Sequence, residues 1–385
     1  MKYYIIAGEA SGDLHGSNLM KGLYAKDPEA RIRFWGGGLM DAVYKEHESG
    51  DGLVKDYREG AVLGFVEILL SARSLMKKIR FCEDDISAWK PDAVILIDYP
   101  GFNLRIAEFA HKAGFKVYYY IVPKVWASRE GRIKKLKEYV DKLLIVFPFE
   151  IPYFEGKGVP VTYVGNPLID AIEESPAMKE SRASFLDRTG LPDAPWITLL
   201  AGSRGHEIKA MMPVFMQLAD KWHAAHPEMH FVIAGAPSRS ASDYDLGGRD
   251  FVHLVFGETY GALRHAEAAV INSGTASLEA ALIGTPQVVG YRMAYGTYVM
   301  LKGMIKVKFI SLANLIIDRA AFRELLQDYF TADNLYAELD RILTDSSYSA
   351  RMKADYSEIR RLLGGPGASL RAAEEIIGKV SQVPE

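Results

Sequence analysis

Ten short apolar runs, each closed by glycine, proline or another turn residue, recur along this chain and limit its fold more than any other feature. "YYIIAG" (3–8), "RIRFWGGG" (31–38), "DAVILIDYPG" (92–101), "KVYYYIVP" (116–123) and "KLLIVFPF" (142–149) occupy the first half. "WITLLAGS" (196–203), "HFVIAGAP" (230–237), "FVHLVFG" (251–257), "AAVINSG" (268–274) and "PQVVGY" (286–291) occupy the second. Their Val, Ile, Leu, Phe and Tyr lack the clean alternation of a half-exposed strand. Such runs suit strands buried on both faces, as in parallel sheets. The stretches between them, such as 102–113, 128–139, 206–226 and 275–283, carry helical patterns. Strand–helix alternation predicts doubly wound α/β layers.

A chain of 385 residues exceeds what one core usually supports, so two domains are expected. The alternation pauses at "AIEESPAMKESRASFLDRTGLPDAP" (171–195), a polar interval with three prolines and no strand pattern. It reads as the linker between two similar α/β domains, spanning about 1–175 and 190–345. Beyond about residue 320 the pattern is helical and charged, broken by "LLGGPGASL" (362–370) before a last helix. That helix, about 366–382, is expected to pack back on the first domain. A net charge of -3 offers no basic footprint for a nucleic-acid partner. Cys82 stands alone, so no disulfide forms within the chain. The opening strand reaches Glu9 too early for a secretory signal, and no uncharged apolar run approaches the roughly 18 residues of a membrane span. These features predict a cytoplasmic protein that is not integral to a membrane.

In open α/β sheets ligands bind beyond the carboxyl ends of the strands. Here those loops are rich in chemistry. The first follows "YYIIAG" and carries Glu9, Ser11, Asp13 and His15 within seven positions. Its glycines Gly8, Gly12 and Gly16 fit neither the dinucleotide nor the P-loop spacing, and close helix–sheet packing explains them equally well. "NSGTASLE" (272–279) follows a strand and opens a helix, where free backbone amides suit a diphosphate. Glu279, one turn after Thr275, could accept hydrogen bonds from two ribose hydroxyls. An ordinary helix cap with a solvent-facing glutamate is the plain alternative. Arg204 in "GSRGHE" (202–207) brings a guanidinium suited to phosphate oxygens, unless it forms only a surface pair with Glu207. The two loops together favour a nucleotide diphosphate in the second domain. Metal binding has little support: "DYD" (243–245) lies in a Ser/Gly-rich loop, and the nine histidines lack paired ligand spacing. No hydrolase elbow is present.

Nine stretches, in order, carry a resemblance. They are "AGEASGD" (7–13), "VLGFVE" (62–67), "IDYPGFN" (97–103), "VPKVWASREGR" (122–132), "FPFE" (147–150), "AGSRGHEI" (201–208), "SGTASLE" (273–279), "VVGYRM" (288–293) and "SLANLI" (311–316). Through them the chain closely resembles the lipid-A-disaccharide synthase family from residue 7 to about 316. It departs where the family usually has Trp at Ser128, His at Asn166 and Pro at Ala313. The resemblance implies the GT-B fold, two Rossmann-like domains facing each other across a cleft. It implies inverting transfer from UDP-2,3-diacylglucosamine to the 6-hydroxyl of 2,3-diacylglucosamine 1-phosphate, giving the β-1,6 disaccharide 1-phosphate and UDP without metal or other cofactor. A homodimer is compatible with it.

A sugar hydroxyl is a weak nucleophile, so a carboxylate must take its proton. The resemblance assigns that role to Asp98, with Glu9 and Asp13 as neighbours by strand-end position; a turn cap in "DYPGFN" is the alternative for Asp98. It implies donor contacts from Gly202, Ser203, Arg204, Ser273, Gly274, Thr275, Glu279 and Asn314. It implies acceptor contacts from Ser11, Asn103, Trp126, Arg129, Arg132, Tyr291 and Arg292. Acylated substrates require the protein to work peripherally at the inner face of the cytoplasmic membrane, and "AVLGFVEILLSARSLMKKIRF" (61–81) and "YVMLKGMIKVKFI" (298–310) compete as the docking segment. Other GT-B enzymes acting on UDP-N-acetylglucosamine, such as a 2-epimerase or an N-acetylglucosaminyltransferase, and a non-catalytic UDP-sugar binder remain alternatives.

Overall fold

The apolar runs form the centres of two parallel sheets. The computed structural model describes residues 1–47, 51–58, 67–127, 130–293 and 308–380. The chain divides into two units, Met1–Pro167 with Gly365–Glu385, and Leu168–Gly364.

The first unit holds β1 (Lys2–Ala7), β2 (Arg31–Gly36), β3 (Gly52–Asp56), β4 (Ala93–Ile97), β5 (Lys116–Tyr120), β6 (Lys142–Ile145) and β7 (Val161–Tyr163). Its helices are α1 (Ala10–Lys26), α2 (Gly38–His47), α3 (Glu67–Trp89), α4 (Pro100–Lys112), α5 (Arg132–Tyr139) and α6 (Glu150–Glu155). The strand order is β3-β2-β1-β4-β5-β6-β7, all parallel. Every residue of β4, and Tyr3–Ala7 of β1, is buried, as expected of central strands covered on both faces.

The second unit opens with α7 (Pro167–Glu174) and α8 (Arg182–Thr189). Its strands are β8 (Trp196–Leu200), β9 (His230–Gly235), β10 (Val252–Phe256), β11 (Ala268–Asn272), β12 (Gln287–Tyr291) and β13 (Glu324–Leu326). Between and after them run α9 (Gly205–Ala225), α10 (Thr259–Arg264), α11 (Thr275–Ile283), α12 (Leu312–Ile316), α13 (Ala332–Thr344) and α14 (Ser346–Leu363). The order is β10-β9-β8-β11-β12-β13, again parallel. In both sheets the order of strand addition therefore reverses beside the first strand, between β1 and β4 and between β8 and β11. Those two points open the crevices where such sheets bind ligands.

A last helix, α15 (Ala368–Val380), belongs to the first unit and packs along α1. Ala368, Ala372, Ala373 and Ile376 on it are fully buried. Arg371 Nε donates to the Val164 carbonyl at 2.8 Å, and Lys142 pairs with Glu375. Close approach depends on Gly22 of α1. A Cβ there would lie 3.0 Å from the Ser369 carbonyl oxygen and 3.2 Å from Ala373 Cβ.

Candidate functional site

At the first reversal point the chain leaves β1 through Gly8 and Glu9. Glu9 is extended (φ -146°), exposed, and precedes α1 without capping it through its side chain. Opposite it, β4 ends in an unusual turn. Asp98 and Tyr99 are consecutive non-glycine residues in the left-handed region, at φ 43° and 44°. Aspartate tolerates that region; tyrosine adopts it only under constraint, and each such residue costs about 1–3 kcal/mol. The constraints are visible. The Tyr99 ring stacks on Phe102 at 5.6 Å and occupies the space that a Cβ at Gly8 would need, 2.3 Å away. Pro100 then starts α4, its fixed φ suiting the first helical turn.

The Asp98 carbonyl accepts from Tyr119 Oη at 2.6 Å and from Asn103 Nδ2 at 2.8 Å. Asn103 Nδ2 also donates to the Ile97 carbonyl at 3.1 Å. The side chain of Asp98 is half-buried. Burial raises its carboxyl pKa; Lys124 opposes that shift, Glu9 adds to it, and Arg132 opposes it. Raised but flanked by cations, this carboxylate suits proton acceptance.

Several expected site residues are otherwise engaged. Asp13 is buried, and its carboxylate accepts from the backbone amides of Gly37 (2.8 Å), Leu39 (3.1 Å) and Met40 (3.1 Å). It caps α2 from a neighbouring helix, so its oxygens are occupied by structure. Asn103, expected against the acceptor, is fully buried and serves the Asp98 turn instead. Trp126 Nε1 donates to Glu150 Oε1 at 3.0 Å, while Glu150 Oε2 accepts from Val146 and Phe147 amides. Burial raises the Glu150 carboxyl to about 7 against those three donors. Ser11 is exposed in the first turn of α1, and Arg132 opens α5 half-buried. Arg129 lies outside the described residues, as do 61–66 and 298–307 of the two docking candidates.

At the second reversal point β8 ends at Leu200, and beyond Ala201 the next residue, Gly202, takes a φ of 99° that disfavours side chains. Glu207 Oε2 accepts from the amides of Ser203 (3.1 Å) and Arg204 (3.2 Å), shaping the loop before α9. The Arg204 side chain is 63% exposed and meets Glu207 Oε1 only at 3.4 Å. A pair that weak leaves the guanidinium open to a stronger anion. Beyond β11, the Ser273 amide donates to the Gly290 carbonyl at 2.9 Å. Gly274 and Thr275 are exposed, and Gly274 at the N-cap has no side chain to cap the start of α11. Glu279, half-exposed, has Oε1 held by Tyr260 Oη at 2.9 Å, and burial raises its carboxyl pKa.

Two placements differ from expectation. Asn314 is fully buried; Nδ2 donates to Phe322 O and Glu324 Oε1, and Oδ1 accepts from the Ala321 amide. Its side chain braces the loop after α12, with both amide hydrogens already donated there. Tyr291 ends β12 within electrostatic reach of Glu207 and Arg204, so it stands with the donor loops; exposed Arg292 follows it. Sequence reasoning missed Tyr119, Lys124 and Tyr260. The first and last sit in apolar or helical runs that read as packing. Asp243 and Asp245 each accept an amide of their own loop, from Ser240 and Gly247. Among the described residues no helix is long and apolar enough to cross a membrane.

The family model described as lipid-A-disaccharide synthetase matches residues 3–377. Lipid-A-disaccharide synthases from Geobacter metallireducens (38% identical, covering 97% of each chain) and Pseudomonas fluorescens strain Pf0-1 (38%, 99% of each) are similar throughout. Among solved structures, the fold is similar to UDP-GlcNAc 2-epimerase from Neisseria meningitidis, at TM-score 0.69 and 14% identity over 98% of this chain and 100% of that one. It is similar also to the glycotransferase of kitacinnamycin, at TM-score 0.65 and 16% identity over 98% and 99%. At such identities these neighbours establish the two Rossmann-like domains of the GT-B fold and nothing about substrate. The full-length match to the family model and to these relatives decides between the GT-B alternatives: the chain belongs to the lipid-A-disaccharide synthase family and is a glycosyltransferase.

Proposed function

We propose that the chain transfers 2,3-diacylglucosamine from its UDP derivative to the 6-hydroxyl of 2,3-diacylglucosamine 1-phosphate, with Asp98 as general base. The observation that carries this reading is the Asp98 turn. A half-buried carboxylate with a raised pKa, flanked by Lys124 and Arg132, ends the strand beside the first reversal point. Asp13 is a cap, which leaves Glu9 as the second carboxylate at this place.

The second unit takes the UDP. Its support is the start of α11, uncapped by side chains among the described residues, the exposed Arg204 guanidinium and the Tyr260-held Glu279. Negative charge growing on the departing diphosphate is favoured at a helix N-terminus and beside an arginine. Glu279 Oε2 takes no hydrogen bond from the described residues, so it can accept from ribose.

The test is product analysis with both acylated sugars and purified protein. Wild type gives the disaccharide 1-phosphate and UDP. Asp98→Asn lowers kcat by roughly 10²–10⁴ with UDP affinity retained, because asparagine keeps the shape but cannot accept the proton. Near-normal turnover in that variant would transfer the role to Glu9. For the donor, Arg204→Ala weakens UDP binding by about 1.5–3 kcal/mol in calorimetry; unchanged affinity would remove the second unit as the donor site.

Peripheral membrane docking belongs to the same proposal. On α3, Met76 (43%) and Phe81 (51%) are exposed beside the exposed Lys77 and Arg80, an apolar and basic surface suited to anionic headgroups. Flotation of wild type with anionic liposomes should exceed that of a well-folded Lys77→Gln, Arg80→Gln variant at low salt. Equal flotation at low and high salt would sink this surface as the electrostatic dock.

A further inference from the structure

We propose that Tyr119 and Asn103 act as positioning residues, a two-donor clamp on the Asp98 carbonyl that holds the Asp98–Tyr99 turn in its left-handed form and so aims the Asp98 carboxylate. The proposal rests on Asp98 being the base.

The geometry begins at the end of the β4–β5 ladder. Register pairs Leu96 with Tyr119 and Ile97 with Tyr120. One residue further, the Asp98 amide still reaches the Tyr120 carbonyl, at 3.4 Å. Its own carbonyl has left the ladder, because a left-handed residue turns its peptide away from the strand direction. A partly buried carbonyl that has left its ladder needs donors from elsewhere. It receives two, both from side chains that are fully buried: Tyr119 Oη at 2.6 Å and Asn103 Nδ2 at 2.8 Å. Asn103 is itself fixed by its second bond, to Ile97, and by its own amide to the Tyr99 carbonyl at 3.0 Å.

A core tyrosine whose hydroxyl merely finds some acceptor would be an ordinary arrangement. Here the acceptor is the carbonyl of the reacting residue itself. Rotation of the Asp98–Tyr99 peptide toward a relaxed conformation would swing the carboxylate along with it. Both left-handed residues are pinned from outside, Tyr99 by its seat between Gly8 and Phe102, and Asp98 by the clamp. Strain held at one residue by its surroundings is a means of fixing a functional group before substrate arrives.

Tyr119→Phe removes only the hydroxyl, and Asn103→Ala removes the other donor. Each is made in wild type and in the Asp98→Asn background, with kcat, KM, UDP affinity and melting temperature measured for every combination. A positioning role predicts that either substitution lowers kcat by about 10–100-fold, the scale of a misplaced reacting group. KM and UDP affinity then change less than about twofold, and in the Asp98→Asn background the same substitution changes residual turnover less than about twofold. A merely structural role gives the same fractional loss in both backgrounds, following the melting temperature, and overturns the clamp. So does unchanged kcat in both variants. If one variant fails to fold, the other carries the decision. Asp98→Asn with near-normal turnover would instead overturn the base assignment, an outcome separate from failure of the clamp.

Discussion

Asp13 shows how a single carboxylate can sit beside chemistry and serve structure. Its two oxygens accept three amides at the start of α2, with the side chain removed from water. Asp13→Ala leaves buried donors unpaired and should cost about 1–3 kcal/mol in urea unfolding. Asp13→Asn, retaining one acceptor oxygen, should cost less and keep turnover when folded; a large loss of kcat with unchanged stability would restore Asp13 as a reacting group. The same contrast explains what was legible at this scale. Strand-end position brought Glu9, Asp98, Arg204 and the α11 start to notice. Position along the chain says nothing of whether a side chain's hydrogen-bonding capacity is already used. That is why Asp13 read as a candidate base, and Asn103 and Asn314 as substrate contacts, while their side chains hold structure.

Among elements, the start of α6 and the buried side of α1 carry opposing pH responses. Glu150 in the fold keeps its proton up to about 7, whereas the unfolded chain releases it near 4.5. Its contribution is complete below about 4.5 and is lost as pH rises through 7. His15, buried in α1 with Nδ1 lacking a hydrogen bond among the described residues, is held down at about 4 from 6.5. Its contribution runs the other way, complete above 6.5 and lost as pH falls toward 4. The two partly offset each other across pH 4.5–6.5. Glu150→Gln removes one side, so the urea midpoint of the variant should fall more steeply on acidification than that of wild type. Parallel pH curves would show that Glu150 does not titrate in this window.

Element legibility followed burial. The central strands β1, β4, β8 and β11 read directly because both faces are covered and the run of β-branched and aromatic residues is continuous. The reading missed β3, β7 and β13. Each lies at a sheet edge, each is five residues or fewer, and each is only partly buried, so no uninterrupted apolar run marks it.

For the molecule as a whole, the contact of α15 with α1 joins sequence extremes within one unit. Gly22 decides how close they come. Gly22→Ala gains about 1 kcal/mol of helix propensity but places its Cβ 3.0 Å from a backbone oxygen that cannot withdraw easily. The two effects nearly cancel, and its stability should stay within about 1 kcal/mol of wild type. Gly22→Leu has no such offset; overpacking should cost about 1–3 kcal/mol, with faster amide exchange confined to α1 and α15. Uniform acceleration across both units would mean that their stabilities are coupled.

The order of synthesis gives that contact a further meaning. When α1 has been made, its partner helix is still unwritten, and the 197 residues of Leu168–Gly364 come between. At about 5–20 residues per second, the ribosome needs roughly 10–40 s for them. All the strands of the second sheet, from Trp196 to Leu326, are made within that interval, so that sheet can close before α15 exists. The first unit, although begun earlier, must wait with the groove along α1 open to whatever apolar surface it meets. The unit whose sheet is begun first is thus the one whose last helix is made last.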